Sequence, residues 1–276
     1  MTSPSPDQLQ RFLDIATEAA LTAGTILLDY QGKLTDIQEK GRPGDLVTEA
    51  DQASEAAILK VFQRHLPDHA ILAEESGAQG SEANPYRWAI DPLDGTTNYT
   101  HQYPFFAVSI GLLVEGVPQV GVVFDPAHQD LFRAAKGLGA TRNRRPISVS
   151  RTAQLGSSLL VTGFAYDRHE TIDNNYAEFC HLTHRTQGVR RGGSAAIDLA
   201  YVACGRLDGY WERGLSPWDL AAGVVLVEEA GGQVSAYDGS PFDIYSGRIL
   251  ATNGLLHTAL SYELLQVQPL PEFRPA

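Results

Sequence analysis

The chain has 276 residues, 43% of them hydrophobic and 20% charged, with a formal net charge of −12. That length can bury a sizeable core in one body or two intimate subdomains, and the composition is that of an ordinary soluble globular protein. The acidic balance argues against a nucleic-acid-backbone binder, and no apolar run is long enough to span a bilayer.

The stretch from Met1 to Pro6 is polar and lacks a basic-then-apolar leader pattern, so a cytoplasmic protein without membrane contact is expected. Cys180 and Cys204 show neither metal-ligand nor disulfide spacing and read as small buried hydrophobes. A first helix is predicted to start near Ser5–Asp7, with an apolar stripe from Leu9 and Phe12 through Ala16, Ala19 and Ala23 to Ile26 and Leu27. After the loop Gly41-Arg42-Pro43-Gly44, a second helix is predicted from about Ala50 to His65, turning Ala53, Ala57, Ile58, Val61 and Phe62 inward. Short strands follow at Ala70–Ala73 and Trp88–Ile90, each running directly into acids. Hairpins are predicted next, with Phe106–Val114 and Val120–Phe124 joined by the turn Glu115-Gly116-Val117-Pro118, then Leu131–Val149. The second half alternates: strand Ser158–Thr162, helices Thr171–His184 and Ser194–Cys204, strand Leu207–Trp211 and helix Pro217–Ala230. This predicts a mixed α+β and α/β fold, with an N-terminal metal-binding subdomain over residues 1–150 and an α/β subdomain over 151–276 that completes the active site.

The strongest chemical signal is Asp91-Pro92-Leu93-Asp94-Gly95-Thr96-Thr97-Asn98. A strand ends at Asp91, Pro92 bars helix, and a turn can aim Asp91 and Asp94 at one point beside the Thr96 and Thr97 hydroxyls. Two carboxylates without a basic partner repel each other unless a cation sits between them, and oxygen-only ligands select hard cations. An Asp-rich turn capping its own N–H groups is the competing explanation. Glu74-Glu75 follows the strand ending at Ala73, and side chains alternate along a strand, so one of the pair faces the Asp91 site and the other supports it from behind. In Gly44–Asp51, Thr48 and Asp51 have capping-box spacing, which accounts for Asp51 and leaves Asp45 unexplained. In Ser216-Pro217-Trp218-Asp219, Ser216 suits the N-cap, Pro217 the first helical position and Asp219 the third. Capping explains each acid singly. One shared metal site at the edge of an α/β sheet explains all of them together.

The segments Gly44–Asp51, Glu74-Glu75-Ser76, Asp91–Asn98 and Ser216–Gly223, in this order and separation, resemble the inositol monophosphatase family of lithium-sensitive, metal-dependent phosphatases. The likeness spans nearly the whole chain, and Tyr210-Trp211-Glu212 also looks like plant-plastid and cyanobacterial members. It implies a layered α-β-α-β-α architecture, with a mixed N-terminal sheet and a smaller C-terminal one. It implies that Glu74, Asp91 and the Leu93 carbonyl hold one Mg²⁺, that Asp91, Asp94 and Asp219 hold a second, and that a third sits near Glu74 through water, with Mn²⁺ a substitute. Thr96 paired with Asp51 would activate the attacking water, with Glu74 sharing in catalysis. Gly95 and Thr96 would offer N–H groups to phosphate. Gly193, Ser194, Ala195, Glu212 and Asp94 would surround the ring hydroxyls. Lys40, Asp45 and Glu75 would support the ligands. A homodimer and inhibition by Li⁺ are implied as well.

Bound cations would also let so acidic a chain accept an anionic substrate, and would neutralise a phosphate monoester for in-line attack. No Gly-x-Ser-x-Gly elbow is present, and Gly41–Gly44 lacks the ending of a P-loop. Arg190 and Arg191 remain open between phosphate steering, ion pairing and subunit contact. The expected activity is hydrolysis of inositol 1-phosphate. The alternatives are a phosphatase for fructose bisphosphate, histidinol phosphate or a 3′-phosphonucleotide such as 3′-phosphoadenosine 5′-phosphate, and a non-catalytic metal-dependent binding protein.

Overall fold

The computed structural model describes residues 4–81 and 83–270; residues 1–3 of the polar N-terminal stretch lie outside the described residues. Helix α1 (Pro6–Tyr30) starts on a reciprocal cap, in which the Gln8 N–H donates to Ser5 Oγ (3.3 Å) and the Ser5 N–H to Gln8 Oε1 (2.9 Å). Its stripe is buried as its spacing predicts, with Ile26 only half-buried. The hairpin β1 (Ile37–Glu39) and β2 (Leu46–Thr48) leads into α2 (Glu49–His65). The inward face of α2 is more polar than expected: Asp51, Ser54 and Glu55 are buried with Ile58, Val61 and Phe62, while Ala53 and Ala57 are half-buried. Phe62 packs against Trp88 with ring centroids 4.6 Å apart and planes tilted by 49°, and burial of such a side chain contributes about 2 kcal/mol to holding α2 on the sheet.

The first sheet is built from β3 (Ala70–Ala73), β4 (Gly77–Gln79), β5 (Tyr86–Asp94), β6 (Ala107–Val114), β7 (Val117–Asp125), β8 (Asp130–Ala135), β9 (Gly139–Arg142) and β10 (Arg145–Pro146), with the short helix α3 (Thr96–Thr100) after β5. Its order is β10-β9-β8-β7-β6-β5-β3-β4, and only β3 and β5 run parallel. The turn between β6 and β7 is tighter than expected. Glu115 (φ 50°) and Gly116 (φ 81°) suffice, as in a two-residue hairpin, and Val117 and Pro118 already pair with β6.

The second sheet contains β11 (Leu159–Thr162), β12 (Gly188–Arg191), β13 (Gly209–Arg213), β14 (Gln233–Ser235) and β15 (Arg248–Thr252), in the order β12-β11-β13-β15-β14. The helices are α4 (Tyr176–Arg185), α5 (Ala195–Ala203), α6 (Pro217–Glu229) and α7 (His257–Gln266). Helix α4 begins five residues later than its composition suggests, because Asn175 is pinned in a left-handed conformation (φ 68°). Its amide donates to Thr162 Oγ1 and the Gly163 carbonyl and accepts from Trp211 Nε1, all at 2.7 Å. Cys180 on that helix is exposed and Cys204 half-buried, so neither is the fully buried residue expected. Strand β13 starts at Gly209, not Leu207: Asp208 accepts the Leu159 N–H (2.7 Å), and the shift places Glu212 inside the strand.

Helices α1 and α2 cover one face of the large sheet, α5 and α6 lie between the sheets, and α4 and α7 cover the outer face of the small one, giving the expected α-β-α-β-α layers. Helix α6 sits unusually close to the large sheet. A Cβ on Gly121 would overlap the Ala222 carbonyl, and one on Gly111, its cross-strand partner, would overlap Ala221. Small residues on both sides therefore set the depth of the helix that carries Asp219. Gly121→Ala is expected to lower unfolding free energy by about 1–3 kcal/mol through overpacking, measured by urea denaturation. An unchanged midpoint would show that α6 is not so tightly seated.

Candidate active site

Asp91 and Asp94 are three residues apart, and in a regular strand they would face opposite sides of the sheet. The pairing of β5 with β6 is irregular here: Asp91 faces Ser109 and Asp94 faces Ala107, so three steps on β5 match two on β6. This bulge contains Pro92, which has no N–H to lose, and it turns both carboxylates to the same side. Asp91 Oδ1 accepts the Leu93 N–H (2.9 Å), which tightens the bend.

Glu74 follows β3, the parallel neighbour of β5, and its N–H bonds to the Ile90 carbonyl (3.1 Å). Its carboxyl hydrogen-bonds that of Asp91. Burial, then the charges of Glu74, Asp94 and Asp219, push Asp91 well above the usual carboxylate range. Burial, then Asp94 and Glu74, do the same to Asp219. Burial raises Asp94 to about 6 against the pull of its hydrogen bonds. The buried Asp91 and Asp94 and the half-buried Glu74 and Asp219, from three separate stretches of sequence, thus act on one another through charge.

Local structure fixes each of them. Asp94 Oδ2 accepts from Ser194 Oγ and the Ala196 N–H, both at 2.7 Å, which joins β5 to the start of α5. Asp219 Oδ2 accepts the Ser216 N–H (2.6 Å), the reciprocal arm of the cap on α6. Lys40 Nζ lies 2.8 Å from Glu74 Oε1 and also bonds Glu75. Burial pulls its pKa down, but the two glutamates outweigh burial and hold it above its ordinary value. Both glutamates therefore turn to the same lysine. Strand alternation does not separate them, because β3 ends at Ala73 and the turn that follows is free of the pleat. Burial lifts Glu75 to about 7. Asp45 lies across the β1–β2 hairpin, where its carbonyl accepts the Lys40 N–H (2.8 Å).

Asp51 serves two partners. Its Oδ2 accepts the Thr48 N–H (2.8 Å) and hydroxyl (2.6 Å), completing the cap of α2, while Oδ1 receives Thr96 Oγ1 at 3.2 Å. Burial raises it to about 6. Thr96 Oγ1 also reaches the Leu93 carbonyl (3.0 Å). Gly95 precedes α3 with φ 97°, and a Cβ there would press on the Phe105 carbonyl (3.0 Å) and the Gly193 carbonyl (3.1 Å), so glycine is required for these turns to meet. Glu212 Oε2 accepts the Tyr210 hydroxyl (2.6 Å), and burial raises Glu212 to about 7. A cleft lined by Asp94, Asp219, Glu212, Gly193, Ser194 and Tyr166 joins these parts. Roomier hollows exist elsewhere, such as one beside Pro6, Tyr86 and Lys136, but they hold no comparable group of buried acids.

Among the described residues, no three His, Cys, Asp or Glu groups already clasp one point as an ion would require. The donor set nevertheless fits a hard cation, since every candidate ligand is an oxygen and the repulsion among them is what such a cation relieves.

Several supporting residues are not evident from the motifs. Glu55, one turn after Asp51, accepts the Glu75 and Ser76 N–H groups, both at 2.9 Å, and Ser54 Oγ donates to the Pro92 carbonyl (2.8 Å). Their signal is a polar pair on the inward face of an otherwise apolar helix. Asn98 Nδ2 ties the Phe105 carbonyl (2.7 Å) to that of Gly192 (3.1 Å). Tyr166 has no sequence signal at all.

Comparison with known proteins agrees with this geometry. The model of the inositol monophosphatase family matches residues 8–268. The chain is 67% identical over 260 residues to an inositol-1-monophosphatase of Synechocystis sp., covering 94% of this chain and 91% of that one. It is 43% identical to the chloroplastic phosphatase IMPL1 of Arabidopsis thaliana, over 90% of this chain and 68% of that protein. The solved inositol monophosphatase from Anabaena (Nostoc) sp. superposes with a TM-score of 0.89 at 67% identity, covering 96% of this chain and 99% of its own. The acids, the layers and the order of segments thus converge on one assignment: the chain belongs to the inositol monophosphatase family.

Proposed function

We propose that this protein is a magnesium-dependent phosphomonoesterase that hydrolyses myo-inositol 1-phosphate to inositol and phosphate. The observation that carries the reading is the convergence of the half-buried Glu74 and Asp219 with the buried Asp91 and Asp94, whose charges repel one another. The activity of the cyanobacterial relative, as its name gives it, supports the substrate.

Glu74, Asp91, Asp94 and Asp219, with the Leu93 carbonyl, would hold two to three Mg²⁺ ions, and Mn²⁺ could replace them. Such ions, bound there, would supply charge neutralisation for the phosphate and a more acidic attacking water. The chain's own groups do the rest. Thr96 has one hydroxyl proton and two acceptors, Asp51 Oδ1 and the Leu93 carbonyl. With that proton directed to Asp51, the Thr96 oxygen accepts a hydrogen bond from water and orients it. Asp51, the acceptor of that proton, would serve as the base of the pair. The N–H groups of Gly95 and Thr96 would offer hydrogen bonds to phosphate oxygens. Glu212, with one oxygen taken by Tyr210, offers the other to ring hydroxyls beside Gly193, Ser194 and Ala195. Lys40, Asp45 and Glu75 hold the rim of the acidic cluster.

Asp94→Asn keeps an acceptor for Ser194 and Ala196 and removes a charge. At saturating Mg²⁺ it should cut phosphate release by at least roughly 100-fold while leaving circular dichroism unchanged. Undiminished release would assign the activity to something other than this site. In a panel at fixed Mg²⁺, inositol 1-phosphate should give a higher kcat/KM than fructose 1,6-bisphosphate, histidinol phosphate or 3′-phosphoadenosine 5′-phosphate. A different winner would move the substrate to that sibling class. In the same assay millimolar Li⁺ should slow turnover, and insensitivity would remove the lithium-sensitive assignment. The working form is a homodimer in the cytoplasm with no nucleic-acid or membrane partner. A monomeric mass by light scattering would overturn the dimer, and fractionation with membranes or nucleic acid would overturn the rest.

A further inference from the structure

The glycines around the cleft serve different ends. Gly95 and Gly193 have positive φ, which their turns require. Gly163 does not, so alanine could follow its backbone, and what glycine supplies there is space. It stands one residue beyond β11, level with Glu212 on the parallel neighbour β13, since Thr162 pairs with Trp211. Both residues line the cleft. A Cβ on Gly163 would lie 2.1 Å from Glu212 Oε1 and 2.3 Å from both Cδ and Oε2. The whole carboxyl group therefore fills the room that a side chain at this position would take.

The backbone of Gly163 is anchored. Asn175 Nδ2 donates to its carbonyl at 2.7 Å, and Arg213 forks onto Asp167 further along the same segment (2.6 and 2.8 Å). Between these anchors, a Cβ on Gly214 would stand 2.5 Å from that of Ala165, so the segment lies close against the end of β13. Glu212 is 8% exposed, and the Tyr210 hydroxyl holds its Oε2 at 2.6 Å. A methyl group at position 163 would thus displace the carboxyl, which is the only part of this contact at the end of a rotatable side chain.

We propose that Gly163 is a specificity-determining residue, whose missing side chain seats the Glu212 carboxyl so that the cleft favours a phosphate on a hydroxylated ring over one whose leaving group offers no hydroxyl. This rests on the phosphomonoesterase reading above. The chemistry of phosphate cleavage belongs to the Asp91, Asp94 and Asp219 end and does not involve Gly163. Discrimination between leaving groups is a separate task. It needs a hydrogen-bond acceptor held at one distance and one angle, because a buried acceptor that misses its hydroxyl is left unpaired. Tyr210 fixes one oxygen of Glu212, and the bare Gly163 backbone sets how far the carboxyl withdraws into the wall. Gly163 acts through Glu212 and touches no reacting atom.

The test follows phosphate release from inositol 1-phosphate and from 4-nitrophenyl phosphate at fixed Mg²⁺, for the wild type, Gly163→Ala, Glu212→Ala and the double variant. Gly163→Ala should raise the KM for inositol 1-phosphate about tenfold with kcat nearly unchanged. The same variant should move kcat/KM for 4-nitrophenyl phosphate by less than about twofold. In the Glu212→Ala background, Gly163→Ala should add no further loss, because the group it displaces is gone. Its melting temperature should stay within about 3 °C of the wild type, because a side chain yields and the backbone does not. An unmoved KM overturns the assignment, as does an equal loss on both compounds, which would mean that the segment itself is distorted. Additive losses in the double variant overturn it too, as does a melting temperature lowered well beyond that margin. Where one control gives no signal (Glu212→Ala unfolded, or 4-nitrophenyl phosphate left intact), the other decides. A wild type that does not hydrolyse inositol 1-phosphate would instead bring down the substrate reading and this assignment with it.

Discussion

Like-charge repulsion in a buried volume is the constraint around which this protein is organised. Glu74, Asp91, Asp94 and Asp219 come from the end of one strand, a bulged strand and the first turn of a helix, and burial pushes Asp91, Asp94 and Asp219 above the usual carboxylate range. A chain optimised for stability would not gather such groups, since an unneutralised buried acid costs several kcal/mol. Their assembly is held by hydrogen bonds that each fix one oxygen, from Lys40, Ser194, Ala196 and Ser216. A cluster that is expensive for the fold and held from several sides is the expected signature of a site built for a cation.

The packing that tolerates this cost lies in the middle layer. Helices α5 and α6 are nearly all apolar and shared by both sheets, so the two halves of the chain bury one continuous core. The polar starts of both helices emerge at the same edge, where their N–H groups stabilise negative charge. Asp94 bonds one of these helix starts and Asp219 lies in the other. The depth of the core therefore sets the spacing of the site, and the glycines beneath α6 contribute to chemistry without touching a substrate.

Much of this was legible in the sequence because it is local. Capping boxes at Ser5, Thr48 and Ser216 mark three helix starts, and apolar runs ending in acids mark two strand ends. What was not legible depends on partners distant in sequence. Helix α4 yields its first turn because Asn175 is taken by Thr162 and Trp211. Strand β13 slides two residues because Asp208 bonds Leu159. Glu55 looks like a solvated helix residue until it is seen capping the Glu75 and Ser76 N–H groups. Strand alternation divides Glu74 from Glu75, but Lys40 gathers both. Each miss is a tertiary hydrogen bond overriding a local rule.

The irregular pairing of β5 with β6 cannot be smoothed into a regular ladder at this length without cost. Pairing every residue from Asp91 to Asp94 in a regular ladder would give a neater strand, yet with three steps between them it would carry the second acid to the far side of the sheet, into the apolar packing below. Here parity is part of the chemistry, and improving the sheet would dismantle the site.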